Sequence, residues 1–276
     1  MSGMSVDLGR FGIWRRSADT PPEVAEVVES LGFGAFWVGG SPPGGLVEVE
    51  AMLAATETIP VATGIVKMWG VDPEVLAASY HRVEARHPGR FLLGVGIGHP
   101  ESTSEYRDPV EMIIAYLDAL SSAGVPKEHL LLAALGPKVL GLSAERTAGA
   151  HPYLSTPRHT RLAREVLGTG PLLAPEQTVI VGIDPDEAAP IARSFVTRYL
   201  GLVNYRNSLL REGWSEADFA NGGSDRLVSE LVLTGDAREV AAGIRAHIDA
   251  GADHVCIQDI GPDPVSAYRS LAGVLL

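Results

Sequence analysis

Phe91-Leu92-Leu93-Gly94-Val95-Gly96-Ile97-Gly98 runs straight into His99-Pro100. An apolar run this short and dense reads as a strand covered on both faces, as in a parallel sheet. Glycines toward its downstream end let another group approach bare backbone. A titratable side chain then stands where the strand ends. That order places a ligand site at the carboxyl end of a parallel sheet.

The same grammar repeats along the chain. Strands are expected at about 9–15, 35–40, 60–67, 91–98, 129–135, 148–154, 177–183 and 253–260. Amphipathic segments follow most of them. In Pro21 to Leu31, Val24, Val27, Val28 and Leu31 recur at helical spacing, and Leu46–Thr56 and Pro73–Arg86 look similar. Thr20-Pro21, Asp72-Pro73, Asp108-Pro109, Thr156-Pro157 and Asp184-Pro185 each pair a cap with a proline suited to a first turn, and Asp236 caps a helix over 237–250. Eight strands alternating with helices close most economically into one (β/α)8 TIM barrel spanning 1–276, with an open doubly wound sheet as the alternative. Residues 184–251 are too long for one crossover. They should hold extra helices between strands 7 and 8, including Ser215–Ala220 over the barrel mouth, and Asn221–Asp225 reads as a turn into a helix.

Bulk properties narrow the function. Of the 276 residues 46% are hydrophobic and 20% charged, enough for a large core. The formal net charge of -12 argues against a nucleic-acid or anionic-membrane binder. Cys256 is the sole cysteine, so an intrachain disulfide is excluded. Met1–Arg16 lacks the apolar core of a signal peptide, and no apolar stretch approaches the roughly 20 residues of a membrane span. The expected location is the cytoplasm, the expected partner a small-molecule substrate, and a homodimer is compatible with these features.

In a barrel the chemistry sits at the strand ends. The candidates there are Trp14 and Arg15, Gly39-Gly40-Ser41, Lys67-Met68-Trp69, His99, Gly136-Pro137-Lys138, Tyr153, Ser155, Thr156, Gly182, Gln258 and Asp259. Gly94, Gly96 and Gly98 do not follow the G-x-G-x-x-G spacing of a dinucleotide fold. They either open the site or relieve crowding inside the barrel. Gly136-Pro137-Lys138 is either an anion-binding helix start or an ordinary tight turn. Thr156-Pro157-Arg158-His159-Thr160 is a second such start, with simple capping as its alternative. His99 is the best acid/base candidate by position and type, or else a structural histidine bonded to a neighbouring loop. His151 and His159 fit no metal motif, no nucleophile elbow is present, and Trp37 reads as core while Trp69 and Met68 offer walls for an aromatic ligand.

Taken in order, several segments resemble the bacterial luciferase-like superfamily, and within it the branch that uses coenzyme F420, a deazaflavin. They are Leu31–Val38, Val61–Ile65, His87–Gly96, Ala133–Lys138, His151–Tyr153 and Asn221–Val228, the last two similar to a mycobacterial-type subgroup. The resemblance implies a barrel with a flavin or deazaflavin ring at the strand ends. It implies that Thr63, Gly64 and Ile65 support the ring through a bend or a cis peptide at Gly64-Ile65. It implies that the Gly136 turn and the next helix start, Thr156, His159 and Thr160, take the phosphate side, with Gly39, Gly96 and Gly98 also near the cofactor. The acid–histidine pair that many F420 enzymes carry after the second strand is replaced by Gly39-Gly40-Ser41, and His99 replaces an acid at the end of the fourth. The expectation is an F420-dependent oxidoreductase, with an FMN-dependent monooxygenase or a non-catalytic flavin-binding barrel as alternatives.

Overall fold

The computed structural model describes residues 6–99 and 108–276. Pro100, and the first five residues of the N-terminal segment discussed above, lie outside the described residues. Strands β1 (Phe11–Arg16), β2 (Ala35–Gly39), β3 (Val61–Gly64), β4 (Val66–Lys67), β5 (Phe91–Gly96), β6 (Leu130–Leu132) and β7 (Gly149–Ala150) form consecutive parallel neighbours. They continue into β8 (Leu172–Leu173), and β9 (Glu176–Val181) pairs with β11 (Val255–Asp259), which returns to β1.

The two ends of this path meet. Only Ala174 and Pro175 separate β8 from β9. One edge of that stretch faces β7, through Ala174 N–H to Ala150 O (2.9 Å) and Glu176 N–H to Pro152 O (2.8 Å). The other edge accepts from the β11 side, Asp253 N–H to Leu173 O (3.0 Å) and Cys256 N–H to Pro175 O (2.9 Å). The sheet therefore closes into the expected eight-position barrel, with β3/β4 and β8/β9 each filling one position. A further strand, β10 (Val232–Gly235), lies against the upper part of β9, where β7 no longer reaches. Neither β8 nor β10 is evident in the sequence. β8 is two residues long and flanked by Pro171 and Pro175, and β10 follows a helix without a turn signal.

Helices α1 (Glu23–Ser30), α2 (Val47–Ala55), α3 (Pro73–Arg86), α4 (Pro109–Ser122), α5 (Pro137–Arg146) and α6 (Pro157–Leu167) follow successive strands. Asp72 and Asp108 cap α3 and α4 as expected, each accepting from two backbone N–H groups. Thr20 does not cap α1. Its hydroxyl donates back to Arg16 O (2.8 Å), and the helix starts later. The long connection after β9 holds α7 (Pro185–Leu200), α8 (Val203–Arg211), a 3-10 turn over Glu216–Gly222 and α9 (Asp225–Leu231), before β10, α10 (Ala237–Asp249), β11 and α11 (Pro264–Leu275). The 3-10 turn packs on α7 rather than over the barrel mouth. That cover comes from α7 and α8. Asn221, Gly222 and Gly223 make the expected turn, all with positive φ, and Ser224 caps α9.

The main core fills the space between barrel and helices. A smaller one, with Trp37, Ala62, Leu92, Leu131 and Cys256, fills the barrel interior. Trp37 is fully buried, as its position in β2 predicts.

Candidate active site

The interior core stops short of the strand ends, and above it a cavity of about 380 Å³ opens. Its floor and walls include Trp14, Gly64, Ile65, Lys67, Gly98, His99, Ala133–Gly136, His151 and Tyr153. Tyr199 of α7 and Asn204, Tyr205, Asn207 and Arg211 of α8 close over it. A mostly apolar hollow with a few converging polar groups at the strand ends is the usual form of a small-molecule site.

The third strand bends here. The Gly64-Ile65 peptide is cis, and it splits the expected 60–67 strand into β3 and β4. The Trp14 indole donates to Gly64 O (3.2 Å), and the Ile65 side chain packs over Gly96 while lining the cavity.

The glycines divide between two uses. Gly64, Gly98 and Gly136 line the cavity, as expected of cofactor contacts. Gly39 and Gly96 do not. A side chain on Gly39 would start 1.9 Å from the Trp14 ring, and one on Gly96 would start 2.7 Å from Ala133 Cβ. Both glycines make room for neighbouring side chains. Thr63, fully buried, does not line the cavity either. Its hydroxyl donates to Gly94 O and accepts from Gly94 N–H, both at 2.8 Å, bracing β3 against β5. Pro137 and Lys138 are exposed at the start of α5 and leave the lining to Gly136.

At the second expected phosphate site the side chains are engaged within the protein. Thr156, His159 and Thr160 are buried at the start of α6. Thr156 caps the helix by accepting from His159 N–H (3.2 Å), and its hydroxyl donates to Glu212 Oε2 (2.5 Å). His159 Nε2 meets Leu135 O (3.0 Å), and Thr160 Oγ1 meets His247 Nδ1 (2.7 Å). The Glu212 carboxyl thus lies against the Thr156 cap, buried at the start of α6. Burial pushes its pKa up to about 7, against the lowering pull of the Thr156 hydroxyl.

Two imidazoles line the cavity. His99 stands at the end of β5 as expected, 3.3 Å from the Asn204 amide and with its ring 5.2 Å from that of Tyr205. The sequence offers His151 as a metal-ligand candidate without a motif and as part of the His151–Tyr153 segment, with no role at the cavity. It is buried, stacked on Trp37 at 4.5 Å, with Nδ1 2.7 Å from Ala174 O. A carbonyl only accepts, so Nδ1 carries the proton and Nε2 is a bare acceptor. That Nε2 has no hydrogen-bond partner among the described residues. Burial draws the His151 pKa down to about 4, so the ring is neutral at pH 7.

An aromatic wall completes the site. Tyr153 donates to Gln258 Oε1 (2.8 Å) and lies 2.9 Å from the Tyr199 hydroxyl, and burial raises the pKa of both tyrosines. Gln258 thus acts behind Tyr153. Asp259 is buried away from the cavity, its pKa raised to about 6 by burial. Met68 and Trp69 do not line the cavity; Trp14 takes the role suggested for them. Among the described residues no cluster of His, Cys, Asp and Glu could hold a metal ion.

The residues that sequence reasoning missed are Tyr199, Asn204, Tyr205, Asn207 and Arg211. They sit on two amphipathic helices of the long insertion, which carry no motif. Only the recognition that α8 crosses the mouth singles them out. Arg211 stands over the start of α5: a Cβ on Gly136 would lie 3.5 Å from its Nη2.

Residues 15–120 match the model of the luciferase-like monooxygenase family. No curated protein matches the sequence. Solved structures match over nearly the whole chain. An F420-dependent secondary alcohol dehydrogenase, bound to an F420–acetone adduct, is 17% identical and aligns over 96% of this chain and 98% of its own, with a TM-score of 0.76. The coenzyme F420-dependent tetrahydromethanopterin reductase of Methanopyrus kandleri is 17% identical over 96% and 97%, at 0.71. The oxygenating constituent of 3,6-diketocamphane monooxygenase from Pseudomonas putida, in complex with FMN, is 15% identical over 96% and 96%, at 0.68. Residues 15–120 thus resemble the luciferase-like monooxygenase family, and the described chain as a whole shares the barrel fold of these solved enzymes.

Proposed function

We propose that the protein is an oxidoreductase that binds coenzyme F420 in the cavity at the strand ends and moves a hydride between it and an organic substrate. The observation that carries this reading is the convergence on one cavity of the Gly64-Ile65 bend, the open start of α5 and Arg211. A volume of about 380 Å³ lies in the lower range of small-molecule sites, enough for a tricyclic head with its tail directed outward. The apolar lining and the bare His151 Nε2 suit a flat ring system with a polar edge.

Gly64, Ile65 and Ala133–Gly136 would hold such a ring, and Gly136 with Arg211 its anionic tail. The deazaflavin supplies hydride chemistry at carbon 5, while the protein supplies orientation and electrostatics. In a chain of net charge -12 an anionic cofactor needs local cations, and among the described residues Arg211 and Lys67 line the cavity. Gly40 and Ser41 line the wall where many F420 enzymes carry an acid and a histidine. Neither can move a proton at neutral pH. His99 is then the cavity group that orients the substrate or handles its proton, and His99→Ala should lower turnover by about 10²-fold.

Titration of the purified protein with F420 and with FMN, followed by cofactor fluorescence, tests the cofactor. F420 should bind more tightly than FMN, and its binding should weaken with added salt. Micromolar FMN binding without F420 binding would overturn the assignment in favour of a flavin monooxygenase.

A further inference from the structure

We propose that His151 reads the ligand at the floor of the cavity, its Nε2 accepting a hydrogen bond from a ring N–H of the bound molecule. The ligand class is a planar heterocycle that carries an imide or amide N–H on its leading edge. The proposal rests on the reading of this cavity as a deazaflavin or flavin site, and adds which edge of the ring points down.

The argument starts from β7. His151 follows that strand directly, and its backbone N–H donates to Leu132 O (3.0 Å), so the sheet fixes where the residue stands. The side chain is held twice more. Its ring stacks on Trp37 of the barrel interior at 4.5 Å, and Nδ1–H donates to Ala174 O at 2.7 Å. That carbonyl settles the tautomer and leaves Nε2 with a lone pair and no proton. His151 lines the cavity, and its Nε2 is buried with no hydrogen-bond partner among the described residues. Buried polar atoms in folded proteins are nearly always paired, so a bare acceptor at a ligand cavity marks the place of a ligand donor.

The neighbouring side chains leave that place open. A Cβ on Gly64 would lie 2.9 Å from Nε2, so a glycine there keeps the nitrogen uncovered. The Trp14 indole N–H, close by, is spent on Gly64 O (3.2 Å). The Tyr153 hydroxyl donates to Gln258 Oε1 (2.8 Å), which leaves the Tyr199 hydroxyl to donate to Tyr153 (2.9 Å). Three donors of the wall are thus turned toward protein acceptors. A neutral acceptor selects by the partner's proton: it binds an N–H and rejects a carbonyl or carboxylate oxygen set in the same place. F420 and FMN both carry an imide N–H at the pyrimidine end of the ring system. Seated on His151, that end lies deepest.

Nitrogen NMR of ¹⁵N-histidine-labelled protein, free and then saturated with F420 or with FMN, tests this. The chain has eight histidines, and loss of one set of signals in His151→Phe or His151→Gln assigns the right one. In the free protein Nδ1 should be protonated and Nε2 unprotonated. On binding, the Nε2 signal should move toward that of a hydrogen-bonded ring nitrogen and couple to the imide proton of the ligand, while Nδ1 keeps its proton. His151→Phe keeps a ring against Trp37 but no acceptor, and F420 should bind it about 10- to 100-fold more weakly. His151→Gln retains a side-chain acceptor and should recover part of that loss. A proton on Nε2 in the free protein, or an Nε2 signal that stays in place when a cofactor binds, overturns the proposal. The wild-type spectra decide this without either variant's affinity. If neither F420 nor FMN binds, the functional reading falls and takes this proposal with it. Cofactor binding without a response at Nε2 sinks this proposal alone and leaves that reading standing.

Discussion

The starts of α5 and α6 look alike on paper and behave oppositely in the structure. Each follows a short barrel strand, opens with a proline, and turns free backbone N–H groups toward the strand ends. At α5, Gly136 offers no side-chain cap, lines the cavity and faces the Arg211 guanidinium. At α6, Thr156 caps the helix and Glu212 covers it. Two adjacent residues at the end of α8 decide the matter. One brings a cation to the first helix start, and the other a carboxylate to the second. A helix start is an invitation to an anion, and what determines the guest is a distant segment laid across it.

The sharpest way to break this comparison is at Glu212. Its pKa is raised from 4.5 to about 7, so the folded chain holds the proton more tightly than the unfolded chain does between those values. Stability should therefore fall as pH rises through that window, by on the order of 3 kcal/mol from this group. Glu212→Gln removes the dependence while keeping an acceptor for Thr156. Urea unfolding at pH 5 and pH 8 should show the variant gaining on the wild type at the higher pH. An equal difference at both pH values would mean that Glu212 is not the buried carboxyl sealing α6.

The α5 side gives the next effect. Arg211→Ala should weaken F420 binding by about 10- to 100-fold, the size of one charge-assisted hydrogen bond, and flatten its salt dependence. An unchanged affinity would move the anionic tail elsewhere. The smallest effect belongs to Lys138, the cation that the sequence places at this helix start but the structure leaves exposed. Lys138→Ala should alter affinity by about twofold at most, as expected of a screened surface charge.

The same pair explains what was legible in the sequence. The barrel was readable because its signals are local: an apolar run at Phe91–Ile97, and Asp-Pro starts at Asp72 and Asp108. The bend at Gly64-Ile65 is implied by the family resemblance rather than by residue pattern, and the cis bond is there. Gly39 and Gly96 lie off the cavity lining; a glycine shows that something presses close without saying what. Here the neighbours are the Trp14 ring and the Ala133 methyl. The burial of Thr156, His159 and Thr160 was not legible, because their hydrogen-bond partners, Glu212, Leu135 O and His247, include groups far along the chain. Asn204 and Arg211 left no local mark, since their roles depend on where α8 comes to lie.

The closure of the sheet bears on how the chain is made. β1 finds β2 within about one strand–helix unit, but its other edge waits for β11, more than 200 residues later, where Phe11 meets Val255. Until residues 255–259 have left the ribosome, every nascent barrel carries an open apolar edge on its first strand. Such an edge is a template for pairing with another chain. Contacts so distant also make the final step of folding slow. Biogenesis of this protein should accordingly lean on holding factors until residues 255–259 have emerged, however stable the finished barrel proves.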